Sequence, residues 1–460
     1  YGFDSDFYKA NNMGIGTALK QGLADMYTNR SSNRYIAFFG RVLWNYQERY
    51  LASVSLRRDG STRFGKDHKW GWFPALSLGW RISQEEWMKD IDWISELKLR
   101  AGIGVTGNQD FSNYKSLMLM SSSTSFYYNG EWINSYAPAS NANPELRWER
   151  KTEYNVGLDF SFLDGRLGGT LDYYYRLTTD LLYEYNVPVP PYDYKTLFTN
   201  VGSISNMGVE LSLYATPVKT RNLVWTSSLV AAHNRNKLIS FTNEEFQNQD
   251  YEIGWIATPV GAYVQRLIEG QSLGSFYAPR WDCVGPDGRD VLKDEFQGKV
   301  PVAKWSRIGS AYPAVTLGWS NTLRYRQWTF GMTLRGAIGG KVFNSYRATY
   351  ENLQQIGLRN ILASWLDDTS YTGEIRYSDK YIEDASYLKL DNISISYDLP
   401  FHNKYLHSAR VFVSGQNLYC LTGYKGVDPE VSLTGLTPGI ESTSYYPRTM
   451  TFSLGVNLTF

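Results

Sequence analysis

Residues 449–460 read Thr-Met-Thr-Phe-Ser-Leu-Gly-Val-Asn-Leu-Thr-Phe. Every second residue from Met450 to Phe460 is apolar, and the residues between them are polar or small. Because side chains alternate between the two faces of a β-strand, this stretch predicts a strand with one apolar and one polar face. The same alternation recurs about a dozen times, with long polar segments between. A soluble β-sandwich could show the alternation, but its repetition with long loops favours an all-β, transmembrane antiparallel β-barrel.

The composition agrees with a barrel and argues against other classes. Aromatic residues make up 16% of the chain, with 36 Tyr and 15 Trp, and Tyr and Trp favour membrane–water interfaces. The chain contains no apolar run long enough for a membrane-spanning helix. A net charge of +1 without a basic patch gives no indication of nucleic-acid binding. Cys283 and Cys420 lack a metal-type spacing, so we interpret them as unpaired or incidental.

Strand and turn signals organise the rest of the chain. The clearest hairpin joins an alternating segment ending at Phe162 to another starting at Leu167, and Asp164-Gly165 between them supplies the positive φ angles of a tight turn. About thirteen strands are predicted in this way, with a weaker candidate within Gly14–Thr28. We therefore expect residues 1–460 to be part of one barrel domain.

Connections between the strands alternate between short and long. Short periplasmic turns and long extracellular loops are typical of bacterial barrels. Tracing the chain up and down predicts a periplasmic C-terminus in the outer membrane. The long extracellular loops are predicted at about 107–149, 178–202, 236–312, 339–385 and 419–446.

The edges of this sheet need partners. An open sheet edge cannot face lipid, because each backbone group without a hydrogen-bond partner there costs several kcal/mol of free energy. Either the Gly14–Thr28 candidate closes a barrel of about 14 strands, or further strands precede this chain. The second alternative is our expectation.

Six segments in a fixed order resemble the SusC/RagA family, the TonB-dependent outer-membrane transporters of Bacteroidetes. They cover residues 55–65 (Ser-Leu-Arg-Arg-Asp-Gly-Ser-Thr-Arg-Phe-Gly), 72–82, 97–109, 381–392, 415–418 together with 424–430, and 446–449. Signature positions with structural roles implied by the resemblance are Arg57, Arg58, Asp59, Gly60, Arg63, Gly107, Asn108, Asp428, Pro429 and Phe460. One departure is Glu441, where the family usually carries Asp.

The resemblance implies a plugged barrel of about 22 strands, of which this chain supplies roughly the last 14. The plug is not in this chain, and it and the rest of the barrel are expected upstream or as another chain. The implied function is TonB-dependent import of oligosaccharides with a SusD-like lipoprotein; TonB acts through an N-terminal region absent here. Peptides are the alternative cargo, and a dimer of transporter–lipoprotein pairs within outer-membrane lipid is the implied assembly.

Binding residues are predicted in the loops. Aromatic side chains can stack on sugar rings, although they could equally belong to the interface belt or pack within loops. The candidates for substrate binding are Tyr127, Tyr128, Trp132, Tyr183, Tyr185 and Tyr192.

Other classes of site have weaker signals. No cofactor is expected. The one weak candidate is structural calcium in the acidic loop at 282–295, with Asp287, Asp290 and Asp294 as ligands. Their spacing differs from that of an EF-hand. A solvated loop is the favoured interpretation. His68 with Asp59 or Asp67 is the one candidate catalytic cluster, and we expect no enzyme activity. At Arg57–Arg63, the favoured interpretation is that Asp59 pairs with a neighbouring Arg and Gly60 makes a turn. A passive porin is the alternative from another class.

Overall fold

The computed structural model describes residues 28, 30–242, 250–351, 356–363, 376–400 and 406–460. The strands in chain order are β1 (Tyr35–Tyr46), β2 (Tyr50–Ser61), β3 (Trp70–Arg81), β4 (Ile94–Asn108), β5 (Met120–Tyr128), β6 (Glu131–Pro138), β7 (Glu149–Phe162), β8 (Leu167–Thr179), β9 (Leu182–Asn186), β10 (Thr196–Asn200), β11 (Ser203–Lys219), β12 (Leu223–Ser240) and β13 (Asp250–Ile256). They continue as β14 (Ala262–Ile268), β15 (Ser275–Ala278), β16 (Trp281–Val284), β17 (Asp290–Leu292), β18 (Ser306–Ser310), β19 (Val315–Tyr325), β20 (Trp328–Ile338), β21 (Lys341–Phe343), β22 (Ile382–Asp384), β23 (Tyr387–Asp398), β24 (Ser408–Thr422) and β25 (Thr451–Thr459).

Helical structure is short. The α-helix α1 covers Ser345–Tyr350, and 3-10 turns cover Ile82–Gln84, Glu86–Met88, Val302–Lys304 and Asp379–Tyr381. In the described ranges, no helix combines the length and apolar character needed to cross a membrane.

Thirteen strands form one antiparallel sheet, which we call the wall. Its order is β1-β2-β3-β4-β7-β8-β11-β12-β19-β20-β23-β24-β25, so every wall strand pairs with the wall strand before and after it along the chain. The predicted strand number is confirmed. Within the described ranges β1 and β25 are the two edges and do not pair with each other. The weaker strand candidate, apart from Thr28, falls outside the described residues.

The two faces of the wall differ in polarity, as the alternation predicts. Val54 pairs with Leu76, and Leu76 pairs with Ile103, so large apolar side chains from successive strands share one face. These three side chains are exposed although apolar, which is typical of a surface whose neighbours are lipid chains. The opposite face carries polar and charged residues such as Arg100 and Asp159, which pair through hydrogen bonds of 2.9 Å.

The connections divide the wall into two rims. At one rim, the turn rim, the chain reverses within a few residues, for example at 163–166. Asp164 and Gly165 there have φ angles of 52° and 79°, so the predicted tight turn is confirmed. At the other rim, the loop rim, the connections are long and contain most of the remaining secondary structure.

The long loops are folded, which the alternation of the wall strands did not predict. Strands β13, β14, β15 and β18 form a separate four-stranded sheet, and β5–β6, β9–β10, β16–β17 and β21–β22 form hairpins or ribbons. Several wall strands also extend past the predicted loop boundaries, to Asn108, Ser240 and Thr422. Two buried cores lie within the loops, one around Val264, Phe276 and Phe343 and one around Leu238, Val201 and Leu267.

Candidate functional site

An ion network anchors the last loop, residues 423–450, to the polar face of the wall. Lys389 of β23 is only 2% exposed, and its Nζ donates to Asp428 at 2.8 Å and to Glu430 at 3.1 Å. Arg448 donates to Glu430 at 2.6 Å and approaches Asp428 at 3.5 Å. Arg335 of β20 donates to the same Glu430.

The balance of burial and hydrogen bonding decides the ionisation of this network. Burial raises the pKa of Glu430, but hydrogen bonds from Arg335 and Lys389 outweigh it and hold the pKa below its ordinary value. Glu430 therefore stays ionised, and the cations remain paired. Glu430 is at the centre of this network, and the signature residue Asp428 joins it through Lys389 and Arg448.

The signature segment Arg57–Arg63 is positioned by strand pairing and not by a turn. Arg57 Nε donates to Asp59 Oδ1 at 2.7 Å, which confirms the expected Asp59–Arg pair. Gly60 pairs with Ile36 of β1 and lies within β2, so the expected turn at Gly60 is wrong. A Cβ at Gly60 would lie 2.8 Å from the Trp70 ring, so glycine permits the close packing of this ring on β2.

The end of the same segment packs under the loops. Arg63 donates to the Gln109 carbonyl at 2.7 Å and to Asn113 at 2.8 Å. Phe64 is buried against Trp148, with ring centroids 4.5 Å apart. The segment therefore connects the top of β2 to the loop that follows β4.

Two further signature positions lie where that loop begins. A Cβ at Gly107 would lie 2.3 Å from the Phe73 ring, so glycine lets β4 pass a buried aromatic side chain. The Asn108 side chain donates to Glu149 at 3.2 Å, across the β4–β7 pair. The structural roles that the resemblance implies for Gly107 and Asn108 stay predictions.

A cavity of about 850 Å³ opens between the β13–β14 hairpin and the last loop. This volume falls in the range of small-molecule sites. We call it the loop-rim cavity, and its lining residues are Tyr183, Asn186, Tyr251, Glu252, Ile253, Gly254, Tyr263, Arg266, Val302, Ala303, Leu436 and Thr437.

Strand pairing places the charged groups of the cavity together. Glu252 and Arg266 are partners across β13–β14, and Arg266 Nη2 lies 3.3 Å from Glu252 Oε1. The Arg266 guanidinium also lies over the Tyr277 ring, 5.4 Å from its centroid. Burial and these contacts fix the position of Arg266, whereas Glu252 is exposed toward the opening.

Tyrosine side chains form the other side of the cavity. Tyr183 contacts the edge of Tyr251, with centroids 6.0 Å apart, and Asn186 donates to the Tyr251 hydroxyl at 2.8 Å. Burial raises the pKa of Tyr183 well above its ordinary value, so its hydroxyl remains a hydrogen-bond donor. The lining offers aromatic faces and hydrogen-bonding groups, which suit the cavity to binding a small molecule.

The six aromatic candidates from the sequence fall into different environments. Tyr127, Tyr128 and Trp132 are exposed at the tip of the β5–β6 hairpin, away from the cavity lining. Tyr183 lines the cavity, while Tyr185 is 6% exposed and packs against Phe241 and Tyr251. The sixth candidate, Tyr192, packs against the same buried core. Tyr251, Tyr263 and Arg266 were not among the candidates, although the apolar–polar alternation of 251–255 signals the strand that carries Tyr251.

The acidic loop does not assemble the predicted calcium ligands. Asp290 accepts hydrogen bonds from Trp281 Nε1 at 2.8 Å and from the Arg376 backbone at 3.2 Å. Asp287 is exposed beside Arg289, and Asp294 lies in a turn with φ of 58°. No group of three potential metal ligands occurs in the ranges that the structure describes. Asp290 is 2% exposed, so the expected solvated loop does not describe this residue, whose partners lie within the protein.

In the candidate catalytic cluster, His68 and Asp59 each have other partners. His68 contacts Glu145 at 3.0 Å, and Asp59 is occupied by Arg57 and by the Tyr35 hydroxyl at 2.8 Å. Of the two carboxylates considered as partners of His68, Asp59 and Asp67, Asp59 is thus engaged elsewhere. The two described cysteines, Cys283 and Cys420, are free.

The wall and its loops define a class of protein. A thirteen-stranded antiparallel sheet with one apolar and one polar face, tight turns at one rim and folded loops at the other is typical of part of the wall of an outer-membrane β-barrel. The chain belongs to the family described as TonB dependent receptor-like, beta-barrel, whose model matches residues 1–418.

Relatives and solved structures agree with this assignment. The chain is 32% identical over 448 residues to the TonB-dependent receptor SusC of Bacteroides thetaiotaomicron, an alignment covering 93% of this chain and 44% of the relative. It is 29% identical over 464 residues to TonB-dependent receptor P3 of Formosa agariphila, covering 92% and 45%. The RagAB peptide transporter structure superimposes with a TM-score of 0.78 at 24% identity, covering 96% of this chain and 50% of that one, and shows the same fold.

The chain spans about half the length of the curated relatives that it matches. The resemblance to SusC and its relatives is confirmed, and membership of this family implies an outer-membrane location.

Proposed function

We propose that this chain forms the C-terminal wall and loops of a transporter that actively imports oligosaccharides across the bacterial outer membrane. The observation that carries the proposal is the loop-rim cavity. It combines tyrosine rings with an amide, a carboxylate and a guanidinium in a space of about 850 Å³. Sugars offer flat faces for stacking and several hydroxyls for hydrogen bonding, and both kinds of partner are present.

The expected partners follow from the proposed mechanism. Import against a gradient needs energy, which TonB would supply from the periplasm through a region outside this chain. A SusD-like lipoprotein would cover the loop rim and deliver cargo to the cavity, and pairs of such complexes would form the dimer. In this arrangement the loop rim is extracellular and the C-terminus periplasmic.

Peptide import is the alternative. The Arg266–Glu252 pair could bind a peptide's carboxylate and amino termini, which is the specific feature that favours it. Two aspects favour sugars. Arg266 is already engaged by Glu252 and stacked on an aromatic ring, and the Tyr183 hydroxyl remains a neutral donor.

A binding experiment tests the cargo. The complete transporter, purified with its lipoprotein partner, is titrated by calorimetry with matched panels of oligosaccharides and oligopeptides. Replacing Tyr263, 41% exposed at the cavity, by Ala should weaken oligosaccharide binding at least about fivefold, since an aromatic stacking contact contributes about 1 kcal/mol beyond its buried area. Trp132→Ala, on the hairpin tip, is the matched control and should bind as the unaltered protein does.

The outcomes separate the alternatives. Peptide binding that Tyr263→Ala weakens, with no oligosaccharide binding, would establish the peptide alternative. Loss of binding in Trp132→Ala but not in Tyr263→Ala would move the site to the β5–β6 hairpin. Uptake that persists in cells without TonB would instead support a passive porin.

A further inference from the structure

Arginine side chains occur on the apolar face of the wall, and Arg58 is one of them. Arg58 of β2 pairs with Phe38 of β1 and with Trp72 of β3. Residues that pair directly across antiparallel strands point to the same face, and Leu56, two residues earlier, lies on the exposed apolar face. The Arg58 side chain is exposed there.

Aromatic rings hold this guanidinium in place. The Arg58 Cζ lies 4.8 Å from the Trp70 ring centroid and 5.0 Å from that of Trp72. Phe38 stacks on Trp70 at 6.3 Å and extends the same cluster. Stacking on ring faces leaves the edge of the guanidinium, with its N–H donors, available to a further group.

Protein carboxylates do not neutralise Arg58 in the described part of the chain. The adjacent Asp59 points to the opposite face, where it accepts from Arg57 and Tyr35. By contrast, Arg100 on the polar face contacts both Asp159 and Asp172. A charge on the lipid-facing surface without such a partner is costly unless it reaches the headgroup region.

The height of Arg58 on the wall fits that region. Tyr46 and Tyr50 mark the aromatic belt at the turn rim, where their rings stack at 6.4 Å. Arg58 is eight residues beyond Tyr50, or about 26 Å along the strand and about 20 Å along the membrane normal at the usual tilt. In an apolar band about 25 Å tall the Arg58 backbone lies about 5 Å inside the far edge, and the long side chain spans that distance to the second belt, beside Trp70 and Trp72.

We propose that Arg58, Trp70 and Trp72 form a binding site for the phosphate of an anionic membrane lipid in the leaflet at the loop rim. The guanidinium edge donates to the phosphate oxygens, while the indole rings contact the glycerol and upper acyl carbons. Arginine suits this role because its planar donor pair matches two phosphate oxygens. This inference depends on the lipid-facing orientation of the wall and is independent of the cargo.

Native mass spectrometry of the complete transporter tests the site. The protein is released from nanodiscs containing phosphatidylglycerol or phosphatidylcholine, and the bound lipids are counted and titrated. We expect one tightly held phosphatidylglycerol molecule, whose affinity falls about tenfold in Arg58→Gln, because a charge-assisted pair is lost. Arg58→Lys should fall in between, since it keeps the charge but loses the planar donors.

Matched controls make the result specific. Arg41 lies on the opposite face of β1, with its Nε donating to Ser53 at 3.0 Å, so Arg41→Gln removes the same charge from the polar side and should leave lipid binding unchanged. The proposal is overturned if Arg58→Gln keeps the lipid, if Arg41→Gln loses it equally, or if phosphatidylcholine binds as tightly. It is also overturned if inorganic phosphate displaces the lipid at equal concentration, which would indicate a free-anion site.

Discussion

Replacing Lys389 by Met should release the last loop from the wall while leaving the wall intact. Lys389 is 2% exposed, and its ammonium group lies between Asp428 at 2.8 Å and Glu430 at 3.1 Å. Methionine has nearly the same length and no charge, so it preserves packing and removes the pairing.

The expected loss of loop stability depends on the ion pairs that remain after the substitution. Removing one partner of a buried ion pair costs about 3–5 kcal/mol. Here Arg448 still lies 3.5 Å from Asp428, and Arg335 and Arg448 still contact Glu430. We therefore expect roughly half of that cost, about 2 kcal/mol, which is about a 30-fold increase in the population of the open loop.

Hydrogen exchange on the complete protein measures this population. The Val427 amide donates to Glu441 at 3.0 Å, and the Glu430 amide donates to Asp428 at 2.9 Å. Both should exchange about 30-fold faster in Lys389→Met, whereas amides of the wall should be unchanged.

Lys341→Met is the matched control. Lys341 lies 3.5 Å from Asp384, and both side chains are substantially more exposed than Lys389. Surface pairs contribute about 0–1 kcal/mol, so exchange should increase less than about fivefold. Equal effects of the two substitutions, or a loss of protection throughout the wall, would refute the anchoring role of the network.

Three other predictions concern a glycine, a buried acid and the C-terminal residue. Gly65→Ala should destabilise the protein by about 1–3 kcal/mol in thermal unfolding, because its Cβ would lie 1.7 Å from the Pro144 carbonyl oxygen; Gly40→Ala, with nothing within 4 Å, should be neutral. Burial raises the pKa of Glu441, so the folded loop becomes more stable as pH falls through that pKa. Glu441→Gln mimics the protonated acid. It should slow hydrogen exchange of the loop amides at neutral pH and remove the pH dependence of loop stability. Phe460→Ala should lower the yield of heat-modifiable folded barrel in membranes, because this apolar side chain is 78% exposed at the end of β25; normal yield would contradict a role in assembly.

The wall could be predicted from the sequence, while the site could not be predicted in full. A period of two along each strand determines which side chains share a face, so local pattern was sufficient for the wall. The loops depend on contacts between distant residues. Lys389 and Asp428 are 39 residues apart, and nothing near either residue indicates the other.

Tyr183 and Tyr185 show the same limit on predicting the site from the sequence. Tyr183 and Tyr185 share one face of β9, and both were equivalent candidates from the sequence. In the structure Tyr183 lines the cavity, but Tyr185 is buried against Phe241 and Tyr251. Which of them reaches a ligand is decided by the packing of β13, more than 60 residues later.

The charges on the polar face of the wall bear on cargo selection. Arg100 is paired with Asp159 and Asp172, and Arg176 with Glu153 at 2.9 Å. Paired charges of opposite sign largely cancel beyond a short distance, so these strands do not generate a strong field of one sign along the lumen. Selection of a charged solute by the wall itself would need such a field. The pairing therefore favours an uncharged cargo recognised at the loops. Uptake of that cargo should depend only weakly on ionic strength even when Asp159 and Asp172 are both neutralised. A strong dependence would show that the wall acts as an electrostatic filter.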